Sequence, residues 1–175
     1  FWSPDSKTLY FHAGQKTEAH LFSVSAFDGA PDILQISGDA AYHASFVPSK
    51  TGDTVAFLME TPEHPPEIHI AGITNFIPKR ITEHNAWLED KSIGDTEVFS
   101  WKSTDGTPIE GILIKPAGFT EGKKHPLLVI PHGGPMGVWM KRFYGRYGAY
   151  PVQVFAGRGY LIFLPNFRGS GSYGE

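Results

Sequence analysis

Two glycine-rich segments carry the residue types from which an acyl-transfer site can be built. His132-Gly133-Gly134-Pro135 follows the apolar run Leu127–Pro131, and Asn166-Phe167-Arg168-Gly169-Ser170-Gly171-Ser172-Tyr173-Gly174 follows Tyr160–Pro165. Paired glycines let the backbone turn sharply and aim a bare N–H into a cleft. An N–H held in that way can stabilise the oxyanion that forms when a carbonyl is attacked. In the second segment the glycines again bring the chain in close, and Arg168 offers a rigid guanidinium fork. A single Gly-Gly pair reads most simply as a tight turn. Two such segments, each placed after a buried strand, favour a site, because ligands and catalytic loops collect at the C-terminal ends of strands in α/β sheets.

Other chemistries find less support. The chain has no cysteine, which excludes a thiol nucleophile, a disulfide scaffold and cysteine-based metal sites. No Gly-x-Ser-x-Gly elbow is present, since Arg168 stands two places before Ser170 and Ser170 two places before Ser172. His132, placed before Gly133-Gly134, reads as a structural histidine rather than a base. The other seven histidines (12, 20, 43, 64, 69, 84 and 125) show no ligand spacing with a nearby acid, so no metal and no cofactor are expected. Trp139, Phe143, Tyr144 and Tyr147 interleave with Lys141, Arg142 and Arg146. Packing around a cleft mouth explains this stretch better than a nucleic-acid patch, and the net charge of −3 does not suggest a bulk electrostatic nucleic-acid binder.

The elements that must position these segments follow from hydrophobic patterning. Glu97–Trp101 and Ile109–Lys115 read as two strands of a hairpin around Thr104-Asp105-Gly106-Thr107. Pro116–His125 is a polar loop. Leu127–Ile130 and Tyr160–Leu164 are continuous apolar runs, expected as strands buried on both faces. Pro151–Arg158 is the best helix candidate, with Pro in the first turn and glycines at its end. Strand, loop, helix, strand is the rhythm of an α/β sheet.

The preceding residues differ in kind. Residues 1–95 carry 6 Lys/Arg and 13 Asp/Glu, whereas residues 96–175 carry 9 and 5, so the small total hides an acidic part and a basic part. The acidic part repeats itself. Trp2-Ser3-Pro4 is echoed by Phe46-Val47-Pro48, His20–Val24 by Glu67–Ala71, and Ile36-Ser37 by Ile81-Thr82, at offsets of 44, 47 and 45 residues. Each unit reads as several short strands separated by turns such as Asp28-Gly29 and Thr51-Gly52-Asp53. A period of about 40–50 residues with about four strands is the signature of a β-propeller blade. The 20 Gly and 14 Pro residues suit many short strands, and no run approaches the roughly 18 apolar residues of a membrane helix.

From about Val98 to Gly174 the chain resembles the start of the α/β-hydrolase domain of the prolyl oligopeptidase family of serine peptidases. The matching stretches are Ser103–Gly111, Pro126–Pro135, Gly157-Arg158-Gly159-Tyr160 and Asn166–Gly174. The His-Gly-Gly-Pro form resembles the acylaminoacyl-peptidase and dipeptidyl-peptidase-like branch. The resemblance implies a propeller ahead of the hydrolase domain. The expected architecture is therefore the last two blades of a β-propeller over residues 1–95, then the N-terminal part of an α/β-hydrolase fold over 96–175, both incomplete.

It also implies a Ser-His-Asp triad located beyond Glu175, so no catalytic residue is expected within these residues and the segment alone should be inactive. Gly134 is the implied oxyanion donor, with Gly133 second. His132 and Pro135 would fix that loop, and Arg168, with Gly169 and Ser170 beside it, would brace the loop or the floor of the site. The implied partners are peptide substrates and the remainder of the same polypeptide, with no nucleic acid and no membrane. Homo-oligomerisation is left open, and cytoplasmic and periplasmic or secreted locations are equally compatible. An esterase sharing the triad, or a non-catalytic propeller-containing binding protein, are the alternatives.

Overall fold

Alternating apolar residues over 8–25 and 42–72 make the first part of the chain a ladder of short strands. In the computed structural model, which describes residues 1–27, 29, 32–38, 40–134, 136–145 and 150–174, these strands form one sheet. They are β1 (Thr8–Gln15), β2 (Glu18–Ser25), β3 (Ile33–Gln35), β4 (Tyr42–Pro48), β5 (Thr54–Glu60), β6 (Glu67–Gly72) and β7 (Lys79–Arg80). The order across the sheet is β1-β2-β4-β5-β6-β7, with β3 also paired to β2. One rung recurs along the sheet: Trp2 bridges Leu9, and 46 residues later Pro48 bridges Val55. The two units meet at one parallel rung, Ala19 against Tyr42.

Side chains bind the units more firmly than that rung does. Leu21 from the first unit packs with Val55, Phe57, Ala71 and Ile73 from the second. Phe57 lies between Phe46 and Phe76, with ring centroids 5.3 and 5.1 Å away. At the start of β6 the buried Glu67 carboxylate accepts hydrogen bonds from the Thr82 hydroxyl and from the Asn85 backbone and side-chain N–H groups, the last two at 2.9 Å. Burial pushes the Glu67 carboxyl up, but these donors outweigh it and hold the group below its ordinary value.

The second sheet follows a short 3₁₀ turn at Ala86–Leu88. Its strands are β8 (Asp95–Lys102), β9 (Pro108–Lys115), β10 (Leu127–Val129) and β11 (Leu161–Asn166), in the order β10-β11-β9-β8. The hairpin β8–β9 turns at Gly106, whose φ of 84° needs glycine. Strands β10 and β11 are parallel, connected through α1 (Val152–Gly157). Ile112, Ile114, Ile162 and Leu164 are fully buried against Val152 and Ala156 of that helix.

Two expectations for this sheet need correction. β10 is not buried on both faces: Leu127 and Val129 are each 54% exposed, because β10 is an edge strand whose outward face nothing covers among the described residues. β11 alternates instead of being uniformly buried. Ile162, Leu164 and Asn166 face the core, while Phe163 is half-covered by Phe99 and Trp101 at 5.9 and 5.4 Å. The molecule is thus mostly sheet with almost no helix, and among the described residues neither sheet closes on itself.

Candidate functional site

Because β10 and β11 run parallel, the glycine segments that follow them leave the sheet at the same end. They meet there. The His132 ring stacks on Phe167 with centroids 4.4 Å apart, and its Nε2 lies 2.8 Å from Ser170 Oγ. The Ser170 hydroxyl donates its one proton to the Phe167 carbonyl at 2.6 Å. Ser170 Oγ must therefore accept from His132 Nε2–H. His132 Nδ1 is buried without a partner among the described residues. Gly137 presses on that side, where an added Cβ would stand 2.7 Å from Nδ1 and 2.5 Å from the Gly133 carbonyl.

Gly134 adopts a left-handed φ of 61° and is exposed, as is Gly133. Among the described residues neither amide N–H is given to a backbone acceptor, and a Cβ at either position would touch nothing within 4 Å. Among the described residues, then, both N–H groups are left for an outside acceptor. The loop is tied down by its other atoms. Gly137 N–H donates to the Gly134 carbonyl at 2.8 Å, and Gly171 N–H donates to the Gly137 carbonyl at 3.1 Å. Gly171 comes so close that a Cβ would sit 2.8 Å from the Met136 carbonyl. Pro135 lies outside the described residues.

Asn166, buried at the end of β11, secures the segment that follows the glycine loop. Its Oδ1 accepts the Trp139 N–H at 2.7 Å and its Nδ2 donates to the Trp139 carbonyl at 2.8 Å, as a strand rung would. Nδ2 also donates to the Tyr173 hydroxyl, which in turn donates to Glu110 Oε1 at 2.9 Å. Burial pushes the Tyr173 hydroxyl well above its usual range. Nearby, the Tyr144 hydroxyl bonds both the N–H and the carbonyl of Met140, and its ring meets Trp139 edge-on at 5.4 Å.

Arg168 turns away from the glycine loop. Its guanidinium pairs with Asp105 and donates to Thr107 Oγ1 at 2.6 Å, gripping the β8–β9 turn. The guanidinium hydrogen bond, with the Thr107 N–H, holds the Asp105 carboxyl far below the ordinary carboxylate range. Gly169, beside it, is exposed at φ 83°. Arg168, Glu110, Asn166, Phe167, Tyr173 and Lys16 line a cavity of about 380 Å³.

The structure therefore brings His132 and Ser170 into contact, leaves Gly133 and Gly134 open beside them, and sends Arg168 to the hairpin. Sequence reasoning gave no role to Gly137, Gly171 or Asn166, although the loops meet through them. A third glycine shortly after Gly133-Gly134 is the signal that points to Gly137. In the aromatic stretch, Arg142 pairs with the buried Glu60 at 3.0 Å and covers the Tyr42 ring, while Arg146 and Tyr147 lie outside the described residues.

No family model matches the chain. It is 26% identical over 196 residues to a dipeptidyl-peptidase 5 of Trichophyton equinum, covering 99% of this chain and 24% of that protein. Its fold matches an acylaminoacyl peptidase of Pyrococcus horikoshii with a TM-score of 0.76 and 25% identity, over 97% of this chain and 25% of the other. A dipeptidyl peptidase 4 of Porphyromonas gingivalis matches in fold, at TM-score 0.76 and 15% identity, over 99% of this chain and 24% of the other. The chain spans about a quarter of the length of the relatives it matches. Nearly end to end, then, the chain is similar in sequence to a dipeptidyl-peptidase and in fold to an acylaminoacyl peptidase, and these similarities support a peptidase of the prolyl oligopeptidase family.

Proposed function

We propose that this chain supplies the oxyanion-stabilising end of a serine-type peptidase, acting within a longer polypeptide that provides the triad. Residues 1–95 are read as two blades of a β-propeller. Residues 96–175 are read as the opening of an α/β-hydrolase sheet. The observation that carries the reading is the open pair of N–H groups at Gly133 and Gly134, on a loop pinned from behind through Gly137 and Gly171.

A serine hydroxyl, deprotonated by histidine, attacks the substrate carbonyl. The carbonyl oxygen gains the negative charge, and the Gly134 N–H donates to it, beside an N–H next to the serine. Collapse expels the amine leaving group, which takes the proton from histidine, and water then hydrolyses the acyl-enzyme. The substrates are short or N-blocked peptides, and the propeller restricts entry of large folded proteins. By the same reading the 175 residues alone turn over nothing.

The test uses the full-length polypeptide with acyl-peptide anilides, dipeptidyl anilides and simple esters. Turnover of a peptide anilide above that of esters is expected. Gly134→Pro, which deletes the N–H, is expected to lower kcat by about 10²–10³. Unchanged turnover in that variant overturns the oxyanion assignment, and ester preference overturns the peptidase reading.

A further inference from the structure

We infer that the β1–β2 turn of the first sheet is a positioning element for the glycine loops of the second, gripping both of them at once. Its effect on rate rests on the acyl-transfer reading above; the grip itself rests on geometry alone.

The turn consists of Lys16 and Thr17, between Gln15 and Glu18. Two hydrogen bonds leave it. Lys16 N–H donates to the Ser172 carbonyl at 2.7 Å, and the Thr17 carbonyl accepts the Lys141 N–H at 2.6 Å. Ser172 belongs to the second glycine segment, and Lys141 to the stretch that follows the first. A single turn therefore bridges the two segments from outside their own sheet. Thr17 is buried in the contact.

The approach is close because Gly14 carries no side chain. Gly14 lies in β1, where a Cβ would stand 2.3 Å from Ser172 Oγ and 2.7 Å from Met140 Cε. Lys16 and Ser172 both hold left-handed φ values, 55° and 70°, although neither is glycine. Such conformations persist where the surroundings over-determine them, and they cluster at working sites.

From this turn a short series of bonds reaches the candidate donor. Lys16 N–H holds Ser172, the neighbouring Gly171 N–H holds the Gly137 carbonyl, and Gly137 N–H holds the Gly134 carbonyl. An oxyanion donor must be placed to within about 0.5 Å, and a misplacement of about 1 Å can cost 10²-fold in rate. Opening the turn would displace Gly134 without touching substrate, so the loss belongs in kcat and not in KM.

The experiment uses the full-length polypeptide. Gly14→Leu, too bulky for the side-chain tips of Ser172 and Met140 to swing clear of, forces the turn off Ser172 and is expected to lower kcat on a peptide anilide by about 10–10²-fold, with KM within about twofold. Adding Ser172→Gly and Met140→Ala removes the two obstructing groups and is expected to restore most of the kcat. Separately, hydrogen exchange in the unsubstituted protein reads the two bonds of the turn, and slow exchange of the Lys16 and Lys141 amides is expected.

Fast exchange at both amides overturns the grip. Slow exchange with unchanged kcat in Gly14→Leu, or a loss that the relieving substitutions do not recover, overturns its positioning role. Absence of peptidase turnover in the unsubstituted protein overturns the functional reading and the rate effect with it, while hydrogen exchange still decides the grip.

Discussion

His132 Nε2–H donates to Ser170 Oγ across 2.8 Å, joining two loops whose residues are 38 apart in the chain. The same ring stacks on Phe167. The histidine thus makes a polar and an apolar contact with one partner loop, and the two can be separated by substitution. His132→Phe keeps the stack and loses the hydrogen bond, so a destabilisation of about 1 kcal/mol is expected in urea unfolding. His132→Ala loses both, and about 0.5–1.5 kcal/mol more should go with the ring pair. Equal losses in the two variants would show that the stack contributes nothing.

Asn166 replaces a backbone rung with a side chain, and its amide makes three hydrogen bonds to Trp139 and Tyr173. At about 1 kcal/mol each, Asn166→Ala should cost about 3 kcal/mol, since buried partners are left unpaired. Urea unfolding measures the loss. Near-ultraviolet circular dichroism should also change, because Trp139 and Tyr173 lose their fixed placement.

The Arg168–Asp105 contact should respond to acid and to salt. The folded Asp105 value is depressed, chiefly by the Arg168 hydrogen bond. The stabilisation is therefore fully present above the unfolded value of about 3.9 and is lost as pH falls below it. Both side chains are more than half exposed, so the contribution is small and screened. Asp105→Asn should abolish this acid limb, and roughly 1 M salt should reduce the difference between the two proteins at neutral pH.

Glu67 should give a second acid limb, insensitive to salt because the group is buried. Its value is depressed by the donors from Thr82 and Asn85, so stability is present above the unfolded value of about 4.3 and declines as pH falls through the folded one. Glu67→Gln should lower stability at neutral pH and flatten the profile below about pH 4.5. A thermal-melt series against pH in low and high salt separates this limb from that of Asp105.

Much of the scaffold was legible in the residues. The hairpin around Asp105-Gly106, the helix after Pro151 and the strands before each glycine segment stand where their patterns put them. The error at β10 has a physical source. Leu127–Ile130 is an uninterrupted apolar run, and such a run signals potential for burial on both faces without saying what arrives to cover them. The glycine segments were legible as a pair, but their joining was not. Gly137 and Gly171 act through close backbone approach, which no periodicity records. Arg168 illustrates the same limit, since its type suggested a fork and only the register of β9 against β11 shows that the fork meets Asp105 and Thr107.

The joint at Ala19 and Tyr42 has a consequence for how the two halves of the first sheet hold together. Each half keeps its own ladder, with eight paired positions between β1 and β2 against one between the halves. Cohesion across the joint comes from Leu21 packing with Val55 and Phe57, from His43 Nδ1 against the Ala19 carbonyl at 3.1 Å, and from the His12 ring beside Tyr42 and Phe46. Side chains, more than strand pairing, thus set how one ladder sits against the other.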